Sequence, residues 1–134
     1  MLLINILTLI TTVIIVIGVW LGIGALYTWF LIKRSATELD QKEFYEKSRN
    51  QQLIDTREHD NFVKSHIIGA RNFPYFQLKE IGLSLQKNRP VYVYSQNRVL
   101  ESRAANQLRK QGYTEIYILK GGYDNYDGRT KASK

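Results

Sequence analysis

The amino-terminal part of the chain is an almost unbroken run of apolar residues. No acidic or basic side chain occurs before Lys33, and this run is longer than the roughly 20 residues that a helix needs to cross a membrane. We therefore predict one transmembrane helix at residues 1–32. The alternative is a cleaved secretory signal, but the run lacks a basic amino-terminal region and exceeds the usual apolar core of about 7 to 15 residues.

Beyond residue 32, short apolar runs alternate with amphipathic stretches. The clearest run is Val91–Tyr94, which is β-branched or aromatic at every position and follows Pro90. This pattern predicts a buried central strand. Downstream, Leu100, Ala104 and Leu108 recur at the spacing of one helix face, which predicts a helix packed on that strand.

Shorter patterns predict the other elements of the soluble part. Strands that alternate with helices indicate an α/β domain built on a mostly parallel sheet with both faces covered. The remaining predictions are a strand at 36–39, a helix at 40–48, a strand at 52–55, a helix at 58–65 with Phe62 and Val63 on its buried side, an irregular strand at 67–72 interrupted by Gly69, a loose helix at 76–85 and a strand at 116–119.

The charges fix an expected orientation for the transmembrane helix. Aromatic residues at the end of the apolar run come just before Lys33 and Arg34, as in an aromatic belt that meets a basic flank. Basic flanks favour the cytoplasmic side, where anionic lipids attract them. We therefore predict a single-pass protein of the cell membrane with its amino terminus outside, its soluble domain in the cytoplasm, and Lys33 and Arg34 in contact with the anionic leaflet.

Two glycines in the apolar run offer a possible dimer contact. Gly18 and Gly22 have the GxxxG spacing that lets two membrane helices approach closely, which would give a homodimer. Glycine is also frequent in membrane helices that do not associate, so the ordinary alternative stays open.

Composition excludes several classes of function. The chain has no cysteine, which excludes disulfides, thiolate metal sites and a cysteine nucleophile. His59 and His66 have no companion at metal-ligand spacing, so we predict no metal and no cofactor. The net charge of +7 does not indicate nucleic acid, because basic residues of the soluble part alternate with acidic ones, as in Lys42-Glu43.

The best candidate for a site is the segment between the strongest strand and the strongest helix. In parallel sheets, ligands bind beyond the carboxyl ends of strands, where the amide groups of helix amino termini favour anions. The alternative is a plain strand-to-helix turn without chemistry. The candidate residues for this loop and its anion site are Ser95, Gln96, Asn97, Arg98, Val99, Leu100 and Arg103.

At family spacing and in family order, several motifs together resemble the rhodanese family over residues 36–128. The resemblance implies a rhodanese-like α/β sandwich at 33–128, preceded by the transmembrane helix at 1–32 and followed by a basic tail at 129–134. The motifs that carry it are residues 53–58, 66–74, 91–94, 104–105, 112–113 and 121–123.

The resemblance also shows what this chain lacks. Catalysis in the family depends on a cysteine that begins a six-residue loop and carries a sulfane sulfur as a persulfide; Ser95 stands at that position. A hydroxyl cannot replace this thiol, because the chemistry needs a sulfur that ionises near neutral pH and forms and breaks S–S bonds. Arg98, Leu100 and Glu101 replace the family's usual glycine, arginine and serine.

Charges near the loop act in opposite directions. A carboxylate at Glu101 in the first helical turn opposes an incoming anion, while Arg98 and Arg103 attract one. By resemblance, Asp55 and Arg57 lie near the loop, either organising its backbone or forming an internal salt bridge, which we favour. His66 is expected to be structural, through a hydrogen bond. Tyr123 and Tyr126 are expected to pack under the loop; the alternative is that these aromatic residues beside glycines contact a partner.

These features predict a membrane-anchored rhodanese-like protein without sulfurtransferase activity that acts as a binding or scaffolding module for an unknown protein partner. Two alternatives remain. In the first, Ser95 acts as the nucleophile of an enzyme with a different substrate, which requires a nearby base. In the second, the Ser95–Leu100 loop is a sensor that binds an anion or a persulfide without turnover.

Overall fold

The computed structural model describes residues 2–80 and 85–132, with side chains described except at residues 2, 31–35 and 80. The chain divides into two compact units, residues 1–30 and 31–134. Helix α1 (Leu2–Ser35) accounts for the first, which confirms the predicted amino-terminal helix. Its segment Leu3–Phe30 is long and apolar enough to cross a membrane, a test that a signal sequence also passes.

Two predictions about this helix stay predictions. The side chains of Lys33 and Arg34 lie outside the described ones, so the structure does not test their predicted contact with a lipid leaflet. Gly18 and Gly22 face open space, since a Cβ atom built on either glycine would meet nothing within 4 Å.

The second unit is built on a five-stranded parallel sheet, which confirms the predicted α/β class. The strand order is β1-β6-β5-β2-β4, and a separate antiparallel pair joins β3 to β7. The strands are β1 (Thr37–Leu39), β2 (Gln52–Asp55), β3 (His66–Ile67), β4 (Arg71–Asn72), β5 (Val91–Tyr94), β6 (Ile116–Leu119) and β7 (Thr130–Lys131).

Helices cover both faces of this sheet. Strand β5 is buried at all four positions because its alternate side chains enter two different cores. Val91 and Val93 join the core under α5, whereas Tyr92 and Tyr94 join the core that contains Phe44 of α2. The helices of this unit are α2 (Gln41–Ser48), α3 (His59–Lys64), α4 (Tyr75–Glu80) and α5 (Arg98–Lys110).

Three sequence expectations differ in detail from the structure. The irregular strand expected at 67–72 is two short strands in different sheets, separated at Gly69, whose φ is +90°. The helix expected at 76–85 covers Tyr75–Glu80, and residues 81–84 lie outside the described ones. Thr130 and Lys131, in the segment expected to be a basic tail, pair with β3.

Leu100 was expected on the buried face of α5, but it is 37% exposed. The helix begins only at Arg98, so Leu100 lies in its first turn, beyond the edge of the sheet. The buried residues of α5 are Glu101, Ala104, Ala105 and Leu108, at the spacing i, i+3, i+4, i+7, together with Ser102.

Candidate functional site

Ser95 lies at the carboxyl end of β5, in the middle of the parallel sheet, and is 3% exposed. The loop after it is shorter than the six residues expected, since only Ser95, Gln96 and Asn97 precede α5. Asn97 ends it by capping the helix: its Oδ1 accepts a hydrogen bond of 3.1 Å from the amide of Leu100. One of the helix amides that an anion would need is therefore already used.

The loop is held from the other side by the segment after β6. The amide of Tyr123 donates to the carbonyl of Ser95 at 2.9 Å, and the amide of Asp124 donates to that of Gln96 at 3.1 Å. A hydrogen bond between the Gln96 amide group and the Asp124 carboxylate adds a side-chain contact. Gly122 lies so close that a Cβ atom there would stand 2.6 Å from the Cα of Asn97. These contacts hold the loop firmly against the segment that follows β6.

The salt bridge expected between Asp55 and Arg57 is present and buried. Both Nε and Nη2 of Arg57 donate to the Asp55 carboxylate, the shorter contact being 2.7 Å. Burial alone would lower the pKa of Arg57, but the hydrogen bonds and charge of Asp55 outweigh it and raise that pKa. Arg57 also donates to the carbonyl of Ser65, so the pair joins the end of β2 to the chain beyond α3.

Aromatic rings complete this support below the loop. The guanidinium of Arg57 lies 3.8 Å from the ring centre of Tyr123. Tyr123 stacks on Tyr94 and on Tyr126 with ring-centre distances of 5.6 and 5.9 Å. Burial strongly raises the pKa of Tyr94, whose hydroxyl accepts a hydrogen bond from the amide of Ile67. Tyr123 thus packs against the loop, as expected, whereas Tyr126 stacks on Tyr123 and lines a separate pocket with Gln41 and Tyr45.

Glu101 is the least expected feature of the site. Its side chain is fully buried, and its Oε1 accepts a long hydrogen bond of 3.5 Å from the amide of Ser95. Its Oε2 is the buried side-chain oxygen or nitrogen without a hydrogen-bond partner among the described residues. Burial raises the pKa of Glu101 to about 9, so the carboxyl is neutral at pH 7.

A pocket of about 390 Å³ opens beside the loop. Of the residues predicted from the sequence, Ser95, Gln96, Leu100, Arg103 and Arg57 line it, whereas Asp55 lies beneath, paired with Arg57. The lining residues that the sequence did not indicate are Thr56, Glu58, Asn61, Tyr75 and Phe76. Thr56 and Glu58 lie between β2 and α3, within the motif at residues 53–58, whereas Asn61, Tyr75 and Phe76 lie in α3 and α4. Only the folded chain brings these segments together at one pocket.

The two arginines predicted to attract an anion point to different places. Arg103 lines the pocket, but Arg98 does not, and its Nε lies 3.6 Å from a carboxylate oxygen of Glu38. Asn97 caps the helix and Val99 is exposed outside the pocket lining. The predicted set of loop residues therefore does not converge on one anion.

Neither histidine lines the pocket. Nδ1 of His59 lies 3.3 Å from the side-chain oxygen of Asn72. His66 is buried, stacks on Phe62 and forms a hydrogen bond of 2.8 Å with the carbonyl of that residue, as expected for a structural role. Among the described residues, no group of three or more histidines, aspartates or glutamates is arranged to hold a metal ion.

Replacing Glu101 with glutamine should change how stability depends on pH. The folded chain keeps a proton that the unfolded chain releases above its ordinary pKa of 4.5, so stability falls as the pH rises from about 4.5 to about 9. Glu101→Gln removes this loss, so the free energy of unfolding of the variant should gain about 4 kcal/mol relative to that of the wild type between pH 4.5 and pH 8.

Urea unfolding of the full chain in detergent, followed by near-ultraviolet circular dichroism, measures this effect. Eight of the nine tyrosines lie in the soluble part and both tryptophans in α1, so the tyrosine signal reports on the domain. The exposed Glu46→Gln is the matched control and should leave the pH profile unchanged. A Glu101→Gln profile parallel to that of the wild type would contradict a neutral buried carboxyl.

Comparison with known proteins places this fold and site in context. The rhodanese-like domain family matches residues 40–129. The uncharacterized protein YqhL of Bacillus subtilis is 47% identical over 102 residues, which cover 76% of this chain and 81% of that protein. The thiosulfate sulfurtransferase GlpE of Coxiella burnetii is 30% identical over 80 residues, 60% of this chain and 75% of that enzyme.

Among solved structures, the rhodanese-like domain of an Anabaena protein superposes with a TM-score of 0.64 and 27% sequence identity. The match covers 71% of this chain and 78% of that domain. The overall fold of the second unit is thus shared with a domain solved independently.

Proposed function

Since the chain belongs to the rhodanese-like domain family, we propose that it is a single-pass membrane protein whose cytoplasmic domain lacks sulfur transfer and acts as a binding or scaffolding module. The observation that carries this proposal is Ser95 at the end of β5, where the family's reactive cysteine would stand. A serine hydroxyl neither ionises near neutral pH nor forms a persulfide.

The surroundings of Ser95 support the loss of anion chemistry. The amide of Ser95 is directed to Glu101 and the amide of Leu100 to Asn97, so the chain's own side chains use groups that would otherwise bind an oxyanion. Glu58 adds a carboxylate to the pocket wall. These contacts weaken the site for sulfite, thiosulfate or phosphate.

The same geometry weakens the alternative of a serine enzyme. A serine nucleophile needs a base within hydrogen-bond reach of its hydroxyl. In the described part of the chain, His59 and His66 are bonded elsewhere, and the Glu101 carboxyl contacts the backbone amide of Ser95.

The membrane assignment rests on α1 and on the charges that follow it. Leu3–Phe30 spans 28 residues, enough to cross the hydrocarbon layer with tilt. The basic residues after it favour a cytoplasmic domain.

Sulfur transfer from thiosulfate to cyanide tests the catalytic half of the proposal. We expect the full chain in detergent to produce thiocyanate at the same background rate as its Ser95→Ala variant, because the sulfur-accepting thiol is missing. A sulfurtransferase assayed in parallel controls for the reagents. Thiocyanate formation by the wild type above the Ser95→Ala level would refute the proposal.

Labelling of an introduced cysteine tests the orientation. The chain has no cysteine, so Lys110→Cys at the exposed end of α5 would be its single thiol. We expect a membrane-impermeant maleimide to label it only after the cells are permeabilised. Labelling in intact cells would place the domain outside, and a mature protein shortened by the length of α1 would show that this helix is a cleaved signal.

A further inference from the structure

The exposed apolar surface of the soluble unit is concentrated around the pocket. Among its described residues, five large apolar side chains are exposed, and four of them lie at the pocket or next to it: Tyr75, Phe76, Val99 and Leu100. Phe76 is 57% exposed although it lines the pocket wall. An apolar rim around a concave site is typical of an interaction surface.

Two unpaired charges stand on different walls of this pocket. Arg103 follows Leu100 by three residues on α5, so the two side chains share a face of that helix. Glu58 precedes α3 on another wall. Among the described residues neither takes part in an ion pair, in contrast to Arg57 with Asp55 and Arg98 with Glu38.

The lining indicates what kind of group fits the pocket. Its surface is mostly apolar, and Glu58 repels a free anion, so a small oxyanion would lose more hydration than Arg103 alone returns. An apolar side chain gains from contact with Phe76 and Leu100, and a carboxylate beside it can pair with the guanidinium of Arg103.

We propose that this pocket binds a segment of a partner protein that inserts one large apolar side chain between Phe76 and Leu100 and places an adjacent acidic side chain against Arg103. Glu58 selects against segments that carry acidic residues on both sides of the apolar anchor. This inference rests on the proposed function, because it assigns the partner class and the surface to the binding module.

Selection from a random peptide display library tests the inference. The full chain in lipid nanodiscs is the bait, with empty nanodiscs for subtraction. We expect enriched peptides to share a large apolar residue next to an aspartate or glutamate. Fluorescence polarisation with such a peptide should show a loss of affinity of about tenfold or more for Phe76→Ser and for Arg103→Glu.

Two variants outside the pocket are matched controls. Ile68→Ser changes an exposed apolar residue, and Arg109→Glu reverses a charge in the last turn of the same helix. Both should keep the wild-type affinity. A peptide with lysine in place of its acidic residue should bind Arg103→Glu better than it binds the wild type, since the charges are exchanged.

The possible results distinguish failure of this docking surface from failure of the proposed binding function. The docking surface is wrong if no peptide is enriched above empty nanodiscs, or if the enriched peptides keep their affinity for both pocket variants. If peptides bind outside the pocket and the chain has no sulfur transfer activity, the proposed binding function is supported and only the proposed docking surface is refuted. If the chain transfers sulfur in a reaction that depends on Ser95, the proposed function is refuted regardless of the peptide results.

Discussion

Replacing Arg57 with methionine is expected to lower the free energy of unfolding of the domain by about 3 to 5 kcal/mol, because it leaves a buried charge without its partner. Asp55 is fully buried, and Arg57 is 6% exposed. Methionine retains an unbranched apolar chain and the backbone amide that donates to Oδ1 of Asp55, but none of the side-chain donors that hold the carboxylate. It also removes the contact with Tyr123 and the hydrogen bond to Ser65.

Urea unfolding of the full chain in detergent measures this loss. The surface pair of Lys47 with Glu43 is the control, since Lys47→Met removes an exposed i,i+4 ion pair and should leave the free energy of unfolding almost unchanged. The double variant Asp55→Asn, Arg57→Met tests the cause. If the unpaired carboxylate is responsible, the double variant should be more stable than Arg57→Met alone.

A cost below about 1 kcal/mol for Arg57→Met would show that the pair contributes no more than a surface salt bridge. Equal stability of the single and double variants would show that lost packing and cation–π contact, not the charge of Asp55, account for the effect.

Replacing Gly122 with alanine is expected to cost about 3 to 5 kcal/mol, for two reasons that add. Its backbone has φ 71° and ψ 179°, a conformation that residues with a Cβ atom rarely adopt. The new Cβ would also lie 2.7 Å from the carbonyl oxygen of Gln96 and 2.9 Å from the nitrogen of Asn97. These are backbone atoms of the loop, so no side-chain rotation relieves the clash.

Gly69→Ala separates the two reasons. Gly69 also has a positive φ, of +90°, but a Cβ atom there meets nothing within 4 Å. Its replacement should cost only the backbone strain, about 1 to 2 kcal/mol, when measured by the same urea unfolding. Similar costs for both variants would contradict a tight contact between Gly122 and the loop.

The elements with strong periodic patterns could be predicted from the sequence. Strand β5 and helix α5 are long and regular enough that their hydrophobic residues specify the element type, and the alternation of strands with helices specifies a parallel sheet. The segment around Gly69 could not be predicted in this way, because its two short strands are defined by partners far away in the chain, β2 and β7.

The sequence predicts where the candidate site lies, but not all of the residues that form it. The end of β5 follows from the pattern, and Ser95 lies there. The sequence predicts that Glu101 lies in the first helical turn, but we did not predict that its side chain is buried. Its spacing from Ala104, Ala105 and Leu108 nevertheless places it on the buried face of α5. A carboxylate within such a stripe is normally assigned to the surface, and only packing under the loop reveals that it is inside.

The buried carboxyl of Glu101 also bears on whether sulfur chemistry could be installed by a single codon change. Ser95→Cys would supply the thiol, but the backbone amide at position 95 is already directed to Glu101. Because burial raises the pKa of Glu101 to about 9, its carboxyl is neutral at pH 7 and supplies neither a base nor a positive charge to favour the thiolate that the reaction needs. Glu58 and the mostly apolar lining of the pocket would also remain. A thiol at position 95 alone would therefore meet a backbone amide that is already bonded and a neighbouring carboxyl that does not favour its ionisation.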